Sequence, residues 1–192
     1  LSLRRQRQMC IRDSPISRMY AIEALKLLIG SIDKAVFHGD SEKARANMLK
    51  GSMFAGIAFA NSPVAAVHAL AYPIGGIFHI PHGLSNALIL PYVLRFNQLD
   101  QKAAHAYADL CDYIWPLKDP KKGIQYKSSF FIEKLAELSE RLGLEARLRD
   151  VGIPKESCEK MAKESMKQTR LLVNNPRCIT EKDSLDIYLA AW

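Results

Sequence analysis

The sequence predicts an all-α fold, and three observations support this prediction. Apolar residues recur at spacings of three and four along most of the 192 residues, as in helices that bury one face. No alternating segment rich in valine and isoleucine is strong enough to indicate a strand. Prolines, glycines and capping residues separate the periodic stretches at lengths typical of globular helices. A chain of this length fits one domain with a sizeable core.

The first two helices are recognised by their ends. Pro15 suits a first helical turn, where the missing N–H of proline would have had no partner. Gly39 closes the first helix, and Asp40 or Ser41 caps the second. The expected ranges are Pro15 to about Phe37 and Glu42 to Phe59.

The next two helices are expected on either side of a break. Pro63 is placed to begin the first of them. Pro73 is followed by Gly75 and Gly76, and a proline with paired glycines is expected to end a helix and turn the backbone sharply. The second helix is predicted from Pro81 to about Phe96, so that it folds back beside the first.

Four further periodic stretches complete the predicted bundle. Ser128 and Thr180 are the expected caps of two of them. Residues 148–154 form a connector and residues 174–177 a turn. The helices are expected at 101–115, 130–142, 156–172 and 181–192. The inner face of the first of these is predicted to be Ala103, Ala104, Tyr107, Ala108 and Cys111.

Two histidines flank the predicted break. His68 and His82 are fourteen positions apart, each in an apolar helical pattern, and a helical hairpin would bring their rings to one point. Two neutral imidazoles sharing a point are a candidate metal site. The spacing matches no zinc-finger or HExxH pattern, so a pair of hydrogen-bonded core histidines is an equal alternative on chemistry alone.

The sequence from His68 to Gly76 and from Pro81 to Ala87 resembles the signature of the iron-containing (group III) alcohol dehydrogenases. The resemblance continues through Leu90–Asn97 and covers nearly all of residues 14–192. It implies the all-helical C-terminal metal- and substrate-binding domain of that family, which has a dehydroquinate synthase-like fold. The complete enzyme carries an N-terminal nucleotide-binding domain. No glycine-rich phosphate loop occurs here, so we expect a fragment.

The resemblance also implies the roles of individual residues. His68 and His82 match two metal ligands, for Fe²⁺ or Zn²⁺, and the full-length enzyme passes a hydride from the alcohol to NAD or NADP. The family's aspartate and further histidine would fall at or before the start of this chain, so two histidines alone should hold the metal weakly. Tyr72 matches a catalytic position near the nicotinamide, commonly histidine. Phe59 matches a wall of the substrate pocket, and both are expected near the cofactor.

Each of these roles has a structural alternative. Tyr72 could be a packing tyrosine and Phe59 an ordinary core aromatic residue. Gly75, Gly76 and Gly83 are interpreted as backbone requirements and Asn86 as hydrogen bonding within the hairpin. His38 and His105 are expected at the surface, and His79 is expected either at the surface or beside the metal-binding residues.

Charge and cysteine content limit the other function classes. The net charge is +7, of which +3 comes from the first fourteen residues, so we expect no nucleic-acid partner. No apolar run is long enough for a membrane span, and no membrane partner is expected. The four cysteines show no metal spacing, which favours free thiols in the cytoplasm. Residues 1–13 resemble translated adapter sequence and are expected to be non-native or disordered.

The sequence therefore favours an oxidoreductase fragment acting on a small alcohol or aldehyde, inactive alone and homo-oligomeric when full length. A non-catalytic helical bundle is the alternative from another class. A glycerol dehydrogenase or dehydroquinate synthase-like relative is the alternative among enzymes.

Overall fold

The computed structural model describes residues 14–192, and every regular element in that range is helical, which confirms the all-α prediction. A 3₁₀ turn at Leu148–Val151 lies in the predicted connector. The α-helices are α1 Pro15–Phe37, α2 Glu42–Asn61, α3 Ala66–Phe78, α4 His82–Asn97, α5 Gln101–Ile114, α6 Ile124–Arg141, α7 Ser157–Ser165, α8 Thr169–Leu172 and α9 Glu181–Ala191.

Packing divides the described residues into two compact units, although the sequence predicts one domain over 14–192. The first unit consists of residues 14–63 and 112–117, and the second of residues 64–111 and 118–192. The division arises because α1 and α2 pack mainly against each other, whereas α3, α4, α7 and α9 share a separate core. The predicted segment 1–13 lies outside the described residues.

The first unit is a helical hairpin whose ends are set by local hydrogen bonds. Ser14 and Ser17 form a reciprocal capping box at the start of α1, and the Ser41 hydroxyl caps α2 by accepting from the Ala44 N–H. The two helices approach closely at Gly51, which is buried. A Cβ atom there would lie 2.8 Å from Cγ of Leu28.

We expect Gly51→Ala to destabilise this hairpin by about 1–2 kcal/mol, because the clash with α1 outweighs the gain in helix propensity. Gly56→Ala in the same helix is the control, since a Cβ there meets nothing within 4 Å. It should stabilise by about 0.5–1 kcal/mol. Urea denaturation followed by Trp115 fluorescence in a Trp192→Phe background reports on this unit. Equal effects of the two alanines would contradict the close approach.

The second unit has one continuous core formed by α3, α4, α7, α9 and the residues next to the 3₁₀ turn. Its largest fully buried side chains are Leu70, Ile74, Leu88, Ile89, Ile132, Leu148, Ile153, Met161 and Tyr188. The last helix is capped as predicted, because Thr180 and Asp183 form a reciprocal capping box. The inner face of α5 is also confirmed for its buried residues, Ala103, Ala104, Ala108 and Cys111, while Tyr107 is only partly buried.

Three predicted boundaries are wrong. Helix α3 begins at Ala66, three residues after Pro63. Helix α6 begins at Ile124, so Ser128 lies inside it, where its buried hydroxyl donates to the Gln125 carbonyl. The helix expected over 156–172 is interrupted after Ser165, whose hydroxyl lies 2.8 Å from the Ser184 hydroxyl of α9. In the last two cases a buried serine takes part in hydrogen bonding that sequence spacing does not reveal.

The predicted break at Pro73 is also wrong, since α3 continues through Pro73, Gly75 and Gly76 to Phe78. Proline removes a backbone donor and disturbs the preceding turn of a helix. In that turn the buried Tyr188 hydroxyl donates to the Leu70 carbonyl at 2.6 Å. The N–H that Pro73 lacks would have bonded to the Ala69 carbonyl, so Tyr188 does not replace that bond but ties the neighbouring carbonyl of the same turn to α9.

Within residues 14–192, no single helix is long and apolar enough to span a membrane. Helices α2 and α3 meet the length and composition criteria only when they are taken together as a bent pair.

Candidate functional site

The candidate site lies where α3 and α4 run side by side in the second unit. His68 is in the first turn of α3, and His82 is the first residue of α4. Their ring centroids are 5.3 Å apart and the ring planes are inclined by 55°. The predicted convergence of the two rings is confirmed. Their role as metal ligands stays a prediction.

The turn that brings the helices together lies at residues 79–81, after the glycine pair. His79 has φ 58° and ψ 25°, so a histidine occupies the left-handed conformation that ends α3. The buried Ser85 hydroxyl is 3.1 Å from both the Ile80 and the Pro81 carbonyl oxygens. Of the three glycines predicted to meet backbone requirements, only Gly75 is closely approached, since a Cβ there would lie 3.3 Å from the Ile80 carbonyl oxygen. A Cβ at Gly76 or Gly83 would meet nothing within 4 Å.

The two imidazoles differ in environment. His68 is partly buried between the helices, whereas His82 is exposed at the start of α4. Burial lowers the pKa of His68, and the neighbouring His82 lowers it further. A lowered pKa keeps His68 neutral near physiological pH, which is the form that binds metal.

Asn86 joins the pair from one turn further along α4, which agrees with the predicted hydrogen bonding within the hairpin. Its Nδ2 is 2.9 Å from the His82 carbonyl oxygen and 3.1 Å from Nε2 of the His82 ring. Its Oδ1 is buried and has no hydrogen-bond partner among the described residues.

An apolar cavity of about 610 Å³ opens beside His68. Its apolar lining includes Ala66 and Val67 of α3 and Leu90 and Leu94 of α4. Polar groups reach it from Asn86 and from Tyr107, Asn97 and Asn175. Such a mostly apolar cavity with a few polar groups is the usual form of a small-molecule site.

Buried amides tie the turn at residues 174–177 to the end of α4. Asn97 donates to Oδ1 of Asn175 at 3.0 Å, and Asn175 donates in return to Oδ1 of Asn97 at 2.7 Å. Arg177 donates to the Phe96 carbonyl at 3.2 Å, and its guanidinium lies 4.0 Å from the centroid of the Phe96 ring. This network could not be predicted from the sequence, because the partners are 78 or more positions apart.

The other predicted site residues are less closely connected. Tyr72 lies one turn after His68 on α3 and is 54% exposed, so it is not a core tyrosine. Phe59 is 57% exposed in the first unit, which excludes the core alternative. Their cofactor and catalytic roles stay predictions. His38, His79 and His105 are exposed, as expected.

The donors that are present fit a metal in kind but not in number. Two imidazoles suit iron or zinc, and their rings converge. However, no group of three or more histidine, cysteine, aspartate or glutamate side chains positioned to hold a metal occurs in the described part of the chain. Because protein zinc sites usually have three or four protein ligands, this pair amounts to an incomplete set.

The fold and site together define an all-α domain with a paired-histidine site beside an apolar cavity. The chain belongs to the Fe-containing alcohol dehydrogenase family, matching the profile of its C-terminal part over residues 9–192. This match begins at residue 9, inside the segment 1–13.

Two curated relatives and one solved structure show the extent of the similarity. Long-chain-alcohol dehydrogenase 1 of Geobacillus thermodenitrificans (strain NG80-2) is 37% identical over 95% of this chain and 45% of its own length. The 1,3-propanediol dehydrogenase of Citrobacter freundii is 32% identical over 93% of this chain and 45% of its own. The alcohol dehydrogenase from Oenococcus oeni superposes with a TM-score of 0.85 at 30% identity, covering 95% of this chain and 46% of that one. The chain thus spans about half the length of these relatives.

Proposed function

We propose that this chain is the metal- and substrate-binding part of an alcohol dehydrogenase that transfers a hydride between an alcohol and NAD or NADP. The convergence of the His68 and His82 rings at 5.3 Å is the observation that carries this proposal. Family membership supports it, and so do the names of the relatives, which are alcohol and propanediol dehydrogenases.

His68 and His82 would hold a divalent metal. The family is iron-containing, and zinc would bind the same donors where it is the more available ion. When bound, such a metal supplies Lewis acidity that makes an alcohol oxygen easier to deprotonate. The lowered pKa of His68 keeps its ring available as a neutral ligand. Tyr72, one turn after His68 on the same face of α3, would donate a hydrogen bond near the nicotinamide.

The apolar cavity beside His68 would exclude water from the carbon skeleton of a small alcohol or aldehyde. Phe59 is proposed as a further apolar contact for substrate and cofactor. The nicotinamide cofactor itself, the homo-oligomeric state and the cytoplasmic location belong to the proposal for the full-length protein. The 192-residue chain alone is expected to show no alcohol-dependent reduction of NAD or NADP.

Calorimetric titration with Zn²⁺ tests whether the histidine pair acts as proposed. We expect the wild-type chain to bind one ion weakly, and His68→Ala or His82→Ala to lower the affinity at least about tenfold, since each removes one of two donors. His105→Ala is the matched control, because that exposed ring lies 2.7 Å from the Gln101 carbonyl of its own helix, α5. Equal binding by all four proteins would favour the alternative of a non-catalytic bundle with packed histidines.

A further inference from the structure

We propose that Asn86 is a positioning residue that donates to Nε2 of His82, which sets the tautomer of this ring and makes the amide compete with a metal for the same nitrogen. The part of this inference that concerns a metal rests on the proposed function, whereas the part that concerns the tautomer does not. It begins from the contacts of the Asn86 amide, which faces both the backbone and the ring of His82.

The orientation of the amide follows from its contact with the backbone. Asn86 Nδ2 lies 2.9 Å from the His82 carbonyl oxygen, which can only accept a hydrogen bond. An amide oxygen in that place would face another oxygen at the same distance without a hydrogen between them. The NH₂ group must therefore face His82.

The tautomer of His82 follows from the orientation of the amide. The second N–H of the Asn86 amide points to Nε2 of His82 at 3.1 Å. Because this group is a donor, Nε2 must be the acceptor, and in a neutral imidazole the proton then resides on Nδ1. The lone pair of Nε2 therefore accepts from Asn86, and a metal at that nitrogen would have to displace the amide N–H.

The unpaired Oδ1 is a second observation that supports this role. Turning both N–H groups toward His82 leaves Asn86 Oδ1 buried without a hydrogen-bond partner in the range 14–192. A buried unpaired oxygen is unfavourable, and such groups in native proteins call for a functional or structural reason. Control of the His82 tautomer is such a reason, because the amide can donate to Nε2 only in the orientation that leaves Oδ1 unpaired.

When the lone pair of Nε2 is taken by a metal, Asn86 loses one of its two contacts and keeps the other, to the His82 carbonyl. The backbone contact therefore holds the side chain beside the ring in both states. This arrangement needs an amide at the position four residues after His82, one turn along α4.

The test is the tautomer of His82 in the 192-residue chain without metal. Long-range ¹H–¹⁵N correlation spectra distinguish the two tautomers, and His82→Gln identifies the His82 signals. At about pH 8, where an ordinary imidazole is neutral, we expect the Nδ1–H form in wild type. Asn86→Leu should remove this preference, and Asn86→Asp, which can only accept, should favour the Nε2–H form.

Asn61→Leu is the control, because Asn61 Nδ2 donates to the Ile57 carbonyl at 3.0 Å in the same one-turn geometry without an imidazole. It should leave the His82 signals unchanged. An Nε2–H form in wild type, or the same tautomer in wild type and Asn86→Leu, would overturn the proposal.

Zn²⁺ titration of the same proteins provides the second readout. Asn86→Leu should strengthen binding by about 2–10-fold, because it removes a hydrogen bond that competes with the metal for Nε2. A changed tautomer with unchanged or weaker Zn²⁺ binding would overturn the competition between the amide and the metal. A wild-type chain that binds no Zn²⁺ would instead count against the proposed function, and the tautomer result would stand by itself.

Discussion

Tyr188→Ala is expected to lower the free energy of unfolding of the second unit by about 3–5 kcal/mol, the range for deleting a large buried aromatic side chain. Tyr188 is fully buried on α9, and its hydroxyl donates to the Leu70 carbonyl of α3. Alanine would remove the ring and the hydroxyl together. It would leave both a cavity and a buried carbonyl whose side-chain donor is lost.

Tyr188→Phe separates the two contributions, because it keeps the ring and removes only the donor. Burial raises the pKa of Tyr188 well above its usual range, so the hydroxyl is protonated and can donate under all ordinary conditions. Loss of this hydrogen bond alone should cost about 1–3 kcal/mol. The difference between the two variants then measures the packing of the ring.

Urea denaturation followed by Trp192 fluorescence in a Trp115→Phe background measures both effects, since Trp192 belongs to the second unit. Tyr126→Phe is the control, because Tyr126 is 50% exposed in that unit and should change stability by less than about 0.5 kcal/mol. If Tyr188→Phe is as stable as the wild type, the hydroxyl does not support the turn before Pro73.

The parts of the fold that could be predicted are those fixed by neighbouring residues. The start of α1 depends on Ser14 and Ser17, three positions apart, and the start of α9 on Thr180 and Asp183 at the same spacing. The buried face of α5 follows from apolar spacing alone. In each case the whole cause lies within one or two turns of helix.

The parts that failed depend on distant residues. Pro73 would end an isolated helix, but in the protein α3 packs against α4 and α7, and Tyr188 donates to the turn before the proline. Ser128 resembles a cap in sequence, but Gln98 donates to its hydroxyl at 2.7 Å inside the folded unit. Sequence spacing contains no information about partners 30 or 118 positions away.

The candidate site likewise combines features that nearby residues predict with features that depend on distant residues. The convergence of His68 and His82 was expected because a helical hairpin and a family resemblance both place them together, even though the turn lies at His79 and not at the glycines. Asn86 could have been assigned to His82 from its spacing of four residues. Asn97 and Asn175 could not have been paired, because they are 78 positions apart.

The pairing of Asn97 with Asn175 gives the second large expected effect. Both side chains are more than nine-tenths buried, and each donates to the oxygen of the other. Replacing either one by alanine leaves the partner amide buried with a donor and an acceptor unpaired, which should cost about 1–3 kcal/mol. Each amide also has a further partner, since Asn97 hydrogen-bonds to the Tyr107 side chain and Asn175 donates to the Arg177 carbonyl at 2.6 Å, so the two single losses should be similar.

The double variant Asn97→Ala/Asn175→Ala should be more stable than the sum of the two single losses predicts, by about 0.5–3 kcal/mol, because no unpaired partner amide remains. Trp192 fluorescence in urea again measures the unfolding. Asn174→Ala provides the matched control cycle with Asn97→Ala, since the Asn174 amide donates to the Val64 and Arg170 carbonyls. That cycle should be additive within about 0.5 kcal/mol. Additive losses in the Asn97 and Asn175 cycle would mean that the two amides do not act as a pair. The contact between Arg177 and Phe96 would then be what holds the 174–177 turn to the end of α4.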